Sequence, residues 1–142
     1  MEITIPAQPD RLYDVLAFVG EAMRGAGIDE TSQNNINIAV EEIFVNIANY
    51  AYPDGEGGVT VRLSAGSGQF TARFIDRGTR YDPLAKPDPD TSLPAMERDI
   101  GGLGILMVKK LMDQVEYRYE DGMNILTLQK SWRDEVVAYE ES

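Results

Sequence analysis

The segment from Asn34 to Tyr52 constrains the fold of this chain more than any other stretch, because it combines an apolar face with a polar stripe. Its apolar side chains recur at intervals of three and four residues, the spacing of one face of an α-helix. They are Ile36, Val40, Ile43, Phe44, Ile47 and Ala51. Such a face needs a core, so we predict a helix that packs against the rest of the fold and begins after Asp29 or Thr31.

The polar stripe of the same helix carries groups that a buried helix does not need. Glu42 and Asn46 are four residues apart and therefore lie on the same side of the helix. Asn35 and Asn49, seven residues before and after Glu42, fall near the same line. A carboxylate and several carboxamides without a cation suit Mg²⁺ or a polarised hydroxyl group. Taken alone, the stripe has a simple alternative, a solvated outer face.

The composition excludes several kinds of chemistry. The chain has 142 residues, a net charge of −11, and neither Cys nor His. Disulfides, thiolate metal sites, Cys nucleophiles and Ser/His/Asp triads are therefore excluded, and proton transfer would need a carboxylate, Lys or Tyr. The negative charge argues against nucleic acid and anionic membranes as partners. No apolar run approaches the ~20 residues of a membrane span and no signal peptide is visible, so we expect a cytoplasmic protein.

The order of the predicted elements favours an α+β fold. Alternating polar and apolar residues predict five strands, at residues 2–5, 59–64, 70–75, 115–119 and 124–128. Helical spacing predicts two further helices, one from Asp10 to the glycines of residues 25–27 and one from Leu103 to Met112. We therefore predict a two-layer sandwich, with the helices packed on one face of a mixed, mostly antiparallel sheet.

One domain over residues 1–142 accommodates all of these elements. Between residues 76 and 102 the chain has four prolines, several acidic residues and little periodicity, which predicts a long, mobile loop. Because so long a loop is unusual inside a compact domain unless it covers a ligand, we predict a lid at about residues 77–102. The acidic tail, residues 132–142, is expected to be a last helical turn or frayed.

Two further segments carry chemical groups. Asp76 ends an apolar strand and is followed by Gly78; the carboxylate can accept a hydrogen bond from an amino group of a planar ligand, and the glycine permits close approach. Asp-x-Gly is also a common turn signal. Gly101, Gly102 and Gly104 stand where the last helix is predicted to begin, and free N–H groups there bind anions such as phosphate. A glycine-rich helix start without function is the alternative.

The three signals together resemble a known nucleotide site. E-x-x-x-N on a helix, D-x-G after a strand and GGLG at a later helix follow the order of the N, G1 and G2 boxes of the Bergerat-type ATP-binding fold, shared by gyrase, histidine kinases and related ATPases. The segments EEIFVNIANYAY, DRGTRYDP and GGLGILMVKKLMDQVEYRYEDGMNILTLQK are similar to those of the small anti-sigma factor serine/threonine protein kinases. The likeness covers about residues 7–130.

The resemblance implies a role for each matching residue. Glu42 would be the catalytic carboxylate that takes a proton from a substrate serine. Asn46 would bind Mg²⁺, and Asp76 would read the adenine, with Gly78 beside it. Gly102 and Gly104 would contact the phosphates, and Thr127 would lie near the adenine. Asn49 is a further expected cofactor-binding residue. Tyr50 departs from the pattern, since many of these kinases have His at that position.

The function that the resemblance implies is an ATP-binding anti-sigma factor with serine/threonine protein kinase activity. It would phosphorylate a serine of an anti-anti-sigma (STAS-type) antagonist, sequester a sigma factor, and use ATP and Mg²⁺. The family often dimerises through its sheet, so a homodimer is a further expectation. The main alternative is a non-catalytic module that binds ATP or ADP and only sequesters a protein partner; a plain structural α+β domain is the third reading.

Overall fold

The computed structural model of the chain describes residues 1–85 and 100–132, except for the side chains of residues 100–103. The elements follow the chain as β1 (Glu2–Pro6), α1 (Leu12–Ala26), α2 (Glu30–Tyr50), β2 (Gly58–Gly66), β3 (Gln69–Asp76), α3 (Ile100–Leu111), β4 (Gln114–Glu120) and β5 (Met123–Ser131). The predicted helices and strands are therefore all present. None of the helices within these residues is long and apolar enough to cross a membrane.

The five strands form one sheet in the order β1-β2-β3-β5-β4, and every pairing is antiparallel. The sequence predicts a mixed, mostly antiparallel sheet, and the structure shows no parallel pair in its described part. The reason lies in the last hairpin. Strands β3 and β4 run in the same direction, but β5 lies between them, so they do not pair. The α+β sandwich itself is confirmed.

The core lies between the helices and one face of the sheet. Helix α2 runs through its centre and buries the apolar face that its spacing predicts. The sheet contributes alternate side chains from β2, β3 and β5, since successive residues of a strand point to opposite faces. Those that are buried on the helix side are Val59, Val61, Leu63, Phe70, Ala72, Phe74, Leu126 and Leu128.

Helix α2 begins at the first of its two predicted caps. The Asp29 carboxylate accepts a hydrogen bond of 3.0 Å from the Ser32 backbone N–H, which satisfies one of the free donors at the helix start. Burial acts to raise the pKa of Asp29, but the hydrogen bonds from Ser32 outweigh it and the pKa is lowered. The helix ends at Tyr50, shortly before Pro53.

Helix α3 begins at Ile100, earlier than the predicted Leu103. Gly101, Gly102 and Gly104 therefore lie inside the helix rather than before it. Glycine lowers helix stability by only about 1 kcal/mol per residue, and burial of Ile105 among the core residues compensates in part.

The segment that follows β3 is fastened to the end of α2. The Thr79 N–H donates to the Ala51 carbonyl at 2.8 Å, and the Arg77 N–H donates to the Tyr52 hydroxyl at 3.0 Å. Tyr52 in turn donates to the Gly58 carbonyl at 2.6 Å. The first part of the predicted lid is thus an anchored segment up to residue 85, whereas its residues 86–99 and the tail at 133–142 lie outside the described residues.

Candidate functional site

A cavity lies between α2 and the sheet, beside the end of β3. Its polar wall is formed by Asn46, Asp76 and Asn124, and its aromatic wall includes Tyr50 and Tyr117. The volume is about 40 Å³, and one water needs roughly 10–15 Å³. The cavity therefore has room for a few waters.

Asp76 is the buried carboxylate of this cavity, with 6% of its surface exposed. Its Oδ1 atom accepts two hydrogen bonds of 2.9 Å each, from the Gly78 N–H and from the Asn124 side-chain amide. Within the described residues no donor reaches its other oxygen, Oδ2. A buried carboxylate held by one oxygen can offer the second to an amino group of a ligand.

Asn124 is the residue of the site that the sequence analysis missed. It lies directly opposite Asp76, because the two residues pair across β3 and β5. Its amide donates to Asp76 and to the Thr79 carbonyl, and its carbonyl accepts from the Tyr81 N–H and the Tyr117 hydroxyl. A signal was present: Asn124 has the same alternation as Leu126 and Leu128, which marks it as facing the helices.

Thr127 was predicted near the adenine, and the structure does not place it there. It has the opposite alternation to Asn124 and lies on the sheet face away from the helices, where it pairs with Arg73. The Arg73 side chain donates to the Thr127 hydroxyl at 3.3 Å. The position of β5 that faces the cavity is Asn124 instead.

The polar residues of α2 differ in whether they line the cavity. Asn46 is half-buried and lines the cavity. Glu42, one turn earlier, is half-buried but is not part of the cavity wall. Asn49 is exposed and also lies outside the wall. Within the described residues, neither the Glu42 carboxylate nor the Asn46 amide makes a hydrogen bond or an ion pair, so both groups are available to a ligand.

The Glu42 carboxylate lies against α3. A Cβ atom added to Gly104 would collide with it, so only glycine allows this approach. The structure therefore brings Glu42 and Gly104 together although they are far apart in the chain. Gly101 and Gly102 lie in the first turn of α3, where the backbone N–H groups have no partner within the helix and can bind an anion.

Gly78 permits close approach of the Ala51 backbone, whereas the sequence predicted close approach of a ligand. A Cβ at this position would overlap the Ala51 carbonyl group, at 2.7 Å from its carbon atom. The glycine thus lets the segment after β3 pack on the end of α2. Its N–H also orients the Asp76 carboxylate, so it shapes the cavity whether or not it touches a ligand.

Tyr117 and Tyr119 of β4 complete the surroundings of Asn124. Burial raises the pKa of Tyr117 above its ordinary value, and its hydroxyl donates to the Asn124 side-chain carbonyl at 2.5 Å. The Arg80 guanidinium lies 4.8 Å from the centre of the Tyr119 ring, a cation–π contact. Tyr119 therefore joins the hairpin of β4 and β5 to the segment after β3, whereas Tyr117 supports Asn124 within the hairpin.

The sequence of the chain matches a known protein family over most of its length. The family model described as a histidine kinase-like ATPase domain matches residues 5–130. This chain belongs to that family. The predicted Bergerat-type relationship is confirmed by this match, which covers nearly all of the described chain.

Curated relatives within the histidine kinase-like ATPases agree with the predicted kinase branch. A serine-protein kinase RsbW of Listeria monocytogenes serovar 1/2a is 28% identical over 130 residues, which are 87% of this chain and 82% of that protein. The serine-protein kinase RsbW of Halalkalibacterium halodurans is 27% identical over 140 residues, 96% of this chain and 86% of that protein. The chain is thus similar to serine-protein kinases over most of its length.

Solved structures confirm the fold. The RsbU and RsbW domains of Rv1364c from Mycobacterium tuberculosis match with a TM-score of 0.64 and 22% identity, over 93% of this chain and 32% of that one. This chain therefore spans about a third of the mycobacterial chain. The histidine kinase AdeS of Acinetobacter baumannii matches with a TM-score of 0.51 and 10% identity, over 92% of this chain and 68% of that one.

Proposed function

We propose that this protein is an ATP-dependent serine/threonine protein kinase that acts as an anti-sigma factor. It phosphorylates a serine of a STAS-type anti-anti-sigma factor and sequesters a sigma factor. The observation that carries the proposal is the cavity wall, which buried Asp76 and Asn46 line together, with Glu42 one turn earlier on α2. The family match and the similarity to serine-protein kinases support it.

In this proposal the nucleobase enters beside Asp76. The Oδ2 atom accepts a hydrogen bond from the exocyclic amino group of adenine, and apolar side chains such as Ile43 and Leu126 cover the ring. The phosphates then extend along α2 toward the start of α3. There the free N–H groups around Gly101 and Gly102 offset part of their charge.

The residues on α2 fit a magnesium ion that the nucleotide brings with it. Asn46 offers an amide oxygen without another partner in the described residues, and Mg²⁺ in such sites takes one or two protein ligands, with phosphate oxygens and waters for the rest. No group of three or more acidic side chains within residues 1–85 and 100–132 forms a cage of its own. When bound, the ion would neutralise charge on the transferred phosphoryl group.

Glu42 is the proposed general base. The serine hydroxyl gives its proton to the Glu42 carboxylate while the serine oxygen forms a bond to the γ-phosphorus. The bond from that phosphorus to the bridging oxygen breaks, and ADP leaves with the electron pair. No His is present to compete for this proton, and the carboxylate has no partner within the described chain that would need to be displaced.

The direct test compares two adjacent glutamates. Glu42→Gln keeps the shape of the side chain but removes the base, whereas Glu41→Gln changes an exposed residue of the same helix. With Mg-ATP and a STAS-type antagonist, we expect phosphoserine formation to fall by about 10²–10⁴-fold in Glu42→Gln. Glu41→Gln should match the wild type, and both variants should bind ATP. Wild-type rates in Glu42→Gln would show that another group is the base.

The alternative is a module that binds ATP or ADP without transferring phosphate and only sequesters a partner. One observation favours it: Asn46 and Asp76 line the cavity, whereas Glu42 lies outside its wall and against Gly104. ATP binding by calorimetry with no phosphoserine on any antagonist would support this reading over the kinase. Absence of ATP binding would exclude both.

The proposed partners are proteins rather than nucleic acid or membrane. The net charge of −11 would favour basic surfaces on a sigma factor or an antagonist and repel phosphate backbones. The face of the sheet opposite the helices carries Arg62, Arg73 and Arg118 beside Glu2 and Glu120. Such mixed charges are compatible with the expected homodimer through the sheet. We retain one domain over residues 1–142 and a cytoplasmic location as parts of the proposal.

A further inference from the structure

The amide of Asn124 can adopt only one orientation. Its nitrogen donates to the Asp76 carboxylate at 2.9 Å, to the Thr79 carbonyl at 3.0 Å and to the Gly78 carbonyl at 3.4 Å. Its oxygen accepts from the Tyr81 N–H at 3.2 Å and from the Tyr117 hydroxyl. A flipped amide would place its oxygen against three acceptors and its nitrogen against the Tyr81 N–H. Asn124 is also 7% exposed, so water cannot easily replace a lost partner.

This orientation determines which oxygen of Asp76 is left without a donor. Asn124 and the Gly78 N–H both donate to Oδ1, which fixes the plane of the carboxylate. Oδ2 is left as an acceptor without a donor in the described residues. Asp76 lines the cavity, and the atom that it leaves for a ligand is an acceptor, because Asn124 turns its N–H groups toward Asp76 and Thr79.

We infer that Asn124, held in place by Tyr117, is a positioning residue that makes the site select a 6-aminopurine nucleotide over a 6-oxopurine nucleotide. The inference rests on the proposed function, since it requires a nucleotide in the cavity. A 6-amino group donates to Oδ2 of Asp76, whereas a 6-oxo group would face it with a second acceptor and leave both unpaired. Asn124 acts through Asp76 and does not itself need to touch the base.

The Asn124 amide also holds the backbone of the segment that follows β3. Thr79 and Tyr81, which Asn124 holds by their backbone groups, belong to the segment that leads into the predicted lid. The hydroxyl of Tyr117 supplies one of the two donors to the Asn124 oxygen. Loss of that hydroxyl leaves Asn124 with one donor and a less restricted amide. Tyr117 therefore contributes to selection without contacting Asp76.

The test measures binding of ADP and of inosine diphosphate (IDP), which differ in whether the purine 6-position carries an amino or an oxo group. Three variants change these contacts. Asn124→Asp keeps the shape and replaces the donor by an acceptor, Asn124→Leu removes all five hydrogen bonds of the side chain, and Tyr117→Phe removes one hydroxyl. Thr71→Val is the matched control, since Thr71 lies on the opposite face of β3. Thermal melts establish that each variant is folded.

For the wild type and the control we expect calorimetry to give an affinity for ADP on the order of tenfold or more above that for IDP. In Asn124→Asp and Asn124→Leu this ratio should fall to within about threefold of unity, and Tyr117→Phe should give an intermediate ratio. If Asn124→Leu does not fold, Asn124→Asp and Tyr117→Phe still decide the question.

The outcomes separate this inference from the proposed function. If the Asn124 variants bind both nucleotides more weakly but keep the wild-type ratio, Asn124 is only structural and the inference is wrong, while ATP binding stands. Equal wild-type affinities for ADP and IDP would also overturn the inference alone. If the wild type binds neither nucleotide, the proposed function fails and the inference fails with it.

Discussion

The two ends of the candidate site differ in how their polar groups are held. At the end of β3, Asp76 and Asn124 are buried and connected by short hydrogen bonds to each other and to the neighbouring backbone. Along α2, the carboxylate of Glu42 and the amide of Asn46 have no hydrogen-bond partner within the described residues. The polar groups at the end of β3 are thus held in place by the protein, whereas those along α2 would gain partners only from a ligand.

This difference has a physical basis in what each end is proposed to do. Recognition of a planar base needs an acceptor in a fixed direction, and a network of satisfied hydrogen bonds supplies it at no cost when the ligand binds. A proton acceptor and a metal ligand gain from being unpaired, because no existing bond must be broken before they act. We therefore expect substitutions at the two ends to have separable effects.

The largest difference between the two ends should appear when the stability and ATP affinity of Asp76→Ala are compared with those of Glu42→Ala. Asp76→Ala leaves the Gly78 N–H without its partner and one Asn124 donor unpaired, so the free energy of unfolding should fall by about 1–3 kcal/mol. ATP affinity should fall by about 10–100-fold, through loss of a charged acceptor.

In Glu42→Ala, by contrast, both the stability and the affinity for ATP should stay near their wild-type values, because the carboxylate has no partner to lose in the described chain. Urea unfolding and calorimetry check both quantities. Equal losses of stability in the two variants would show that the two ends are not differently organised.

A second test displaces Glu42 without removing it. In Gly104→Ala the new methyl group collides with the Glu42 carboxylate, which is the flexible end of its side chain and can move away. We expect phosphoryl transfer to fall by about 10–100-fold, because the base is misplaced, with a stability change below about 1 kcal/mol.

The control for this test is Gly25→Ala in α1, where a Cβ atom meets nothing within 4 Å. It should stabilise the protein by about 0.5–1 kcal/mol and leave transfer unchanged. Unaltered transfer in Gly104→Ala would mean that the contact between α3 and Glu42 does not matter for catalysis.

The smallest expected effect is at the start of α2, the helix that carries Glu42 and Asn46. Asp29→Ala removes the cap on Ser32 and should lower the free energy of unfolding by about 1 kcal/mol at pH 7. Asp29→Asn keeps a capping oxygen and should cost less. Neither substitution should change the affinity for ATP relative to the rate of phosphoryl transfer, since Asp29 lies outside the cavity wall.

The contribution of the Asp29 cap should depend on pH in one direction. Hydrogen bonds from Ser32 outweigh burial and hold the pKa of Asp29 below its ordinary value of 3.8. A lowered pKa in the folded state gives stability that is present above that ordinary value and is lost as the pH falls through the folded value. The gap between the wild type and Asp29→Ala should therefore narrow from pH 5 toward acid in urea titrations. A gap that widens there would contradict the assignment.

The sequence could predict most of the fold because its signals are local. The three- and four-residue spacing of α2 and the alternation in β2 and β3 are properties of short stretches, and the structure has each of these elements. The start of α3 was predicted too late because three glycines weaken the local helix signal, whereas packing of its later turns extends the helix back to Ile100. At the start of α3, local propensity and tertiary packing disagree.

For the site, the sequence by itself determined which chemistry was available: no His, no Cys, and carboxylates and amides at helical spacing on α2. It also supplied Asp76 at the end of an apolar strand, beside a glycine. Only the tertiary structure decided which groups meet. The pairing of Asp76 with Asn124 depends on the register of β3 against β5, and the contact of Glu42 with Gly104 on the packing of α2 against α3. Both join residues far apart in the chain, and no local pattern records such a distance.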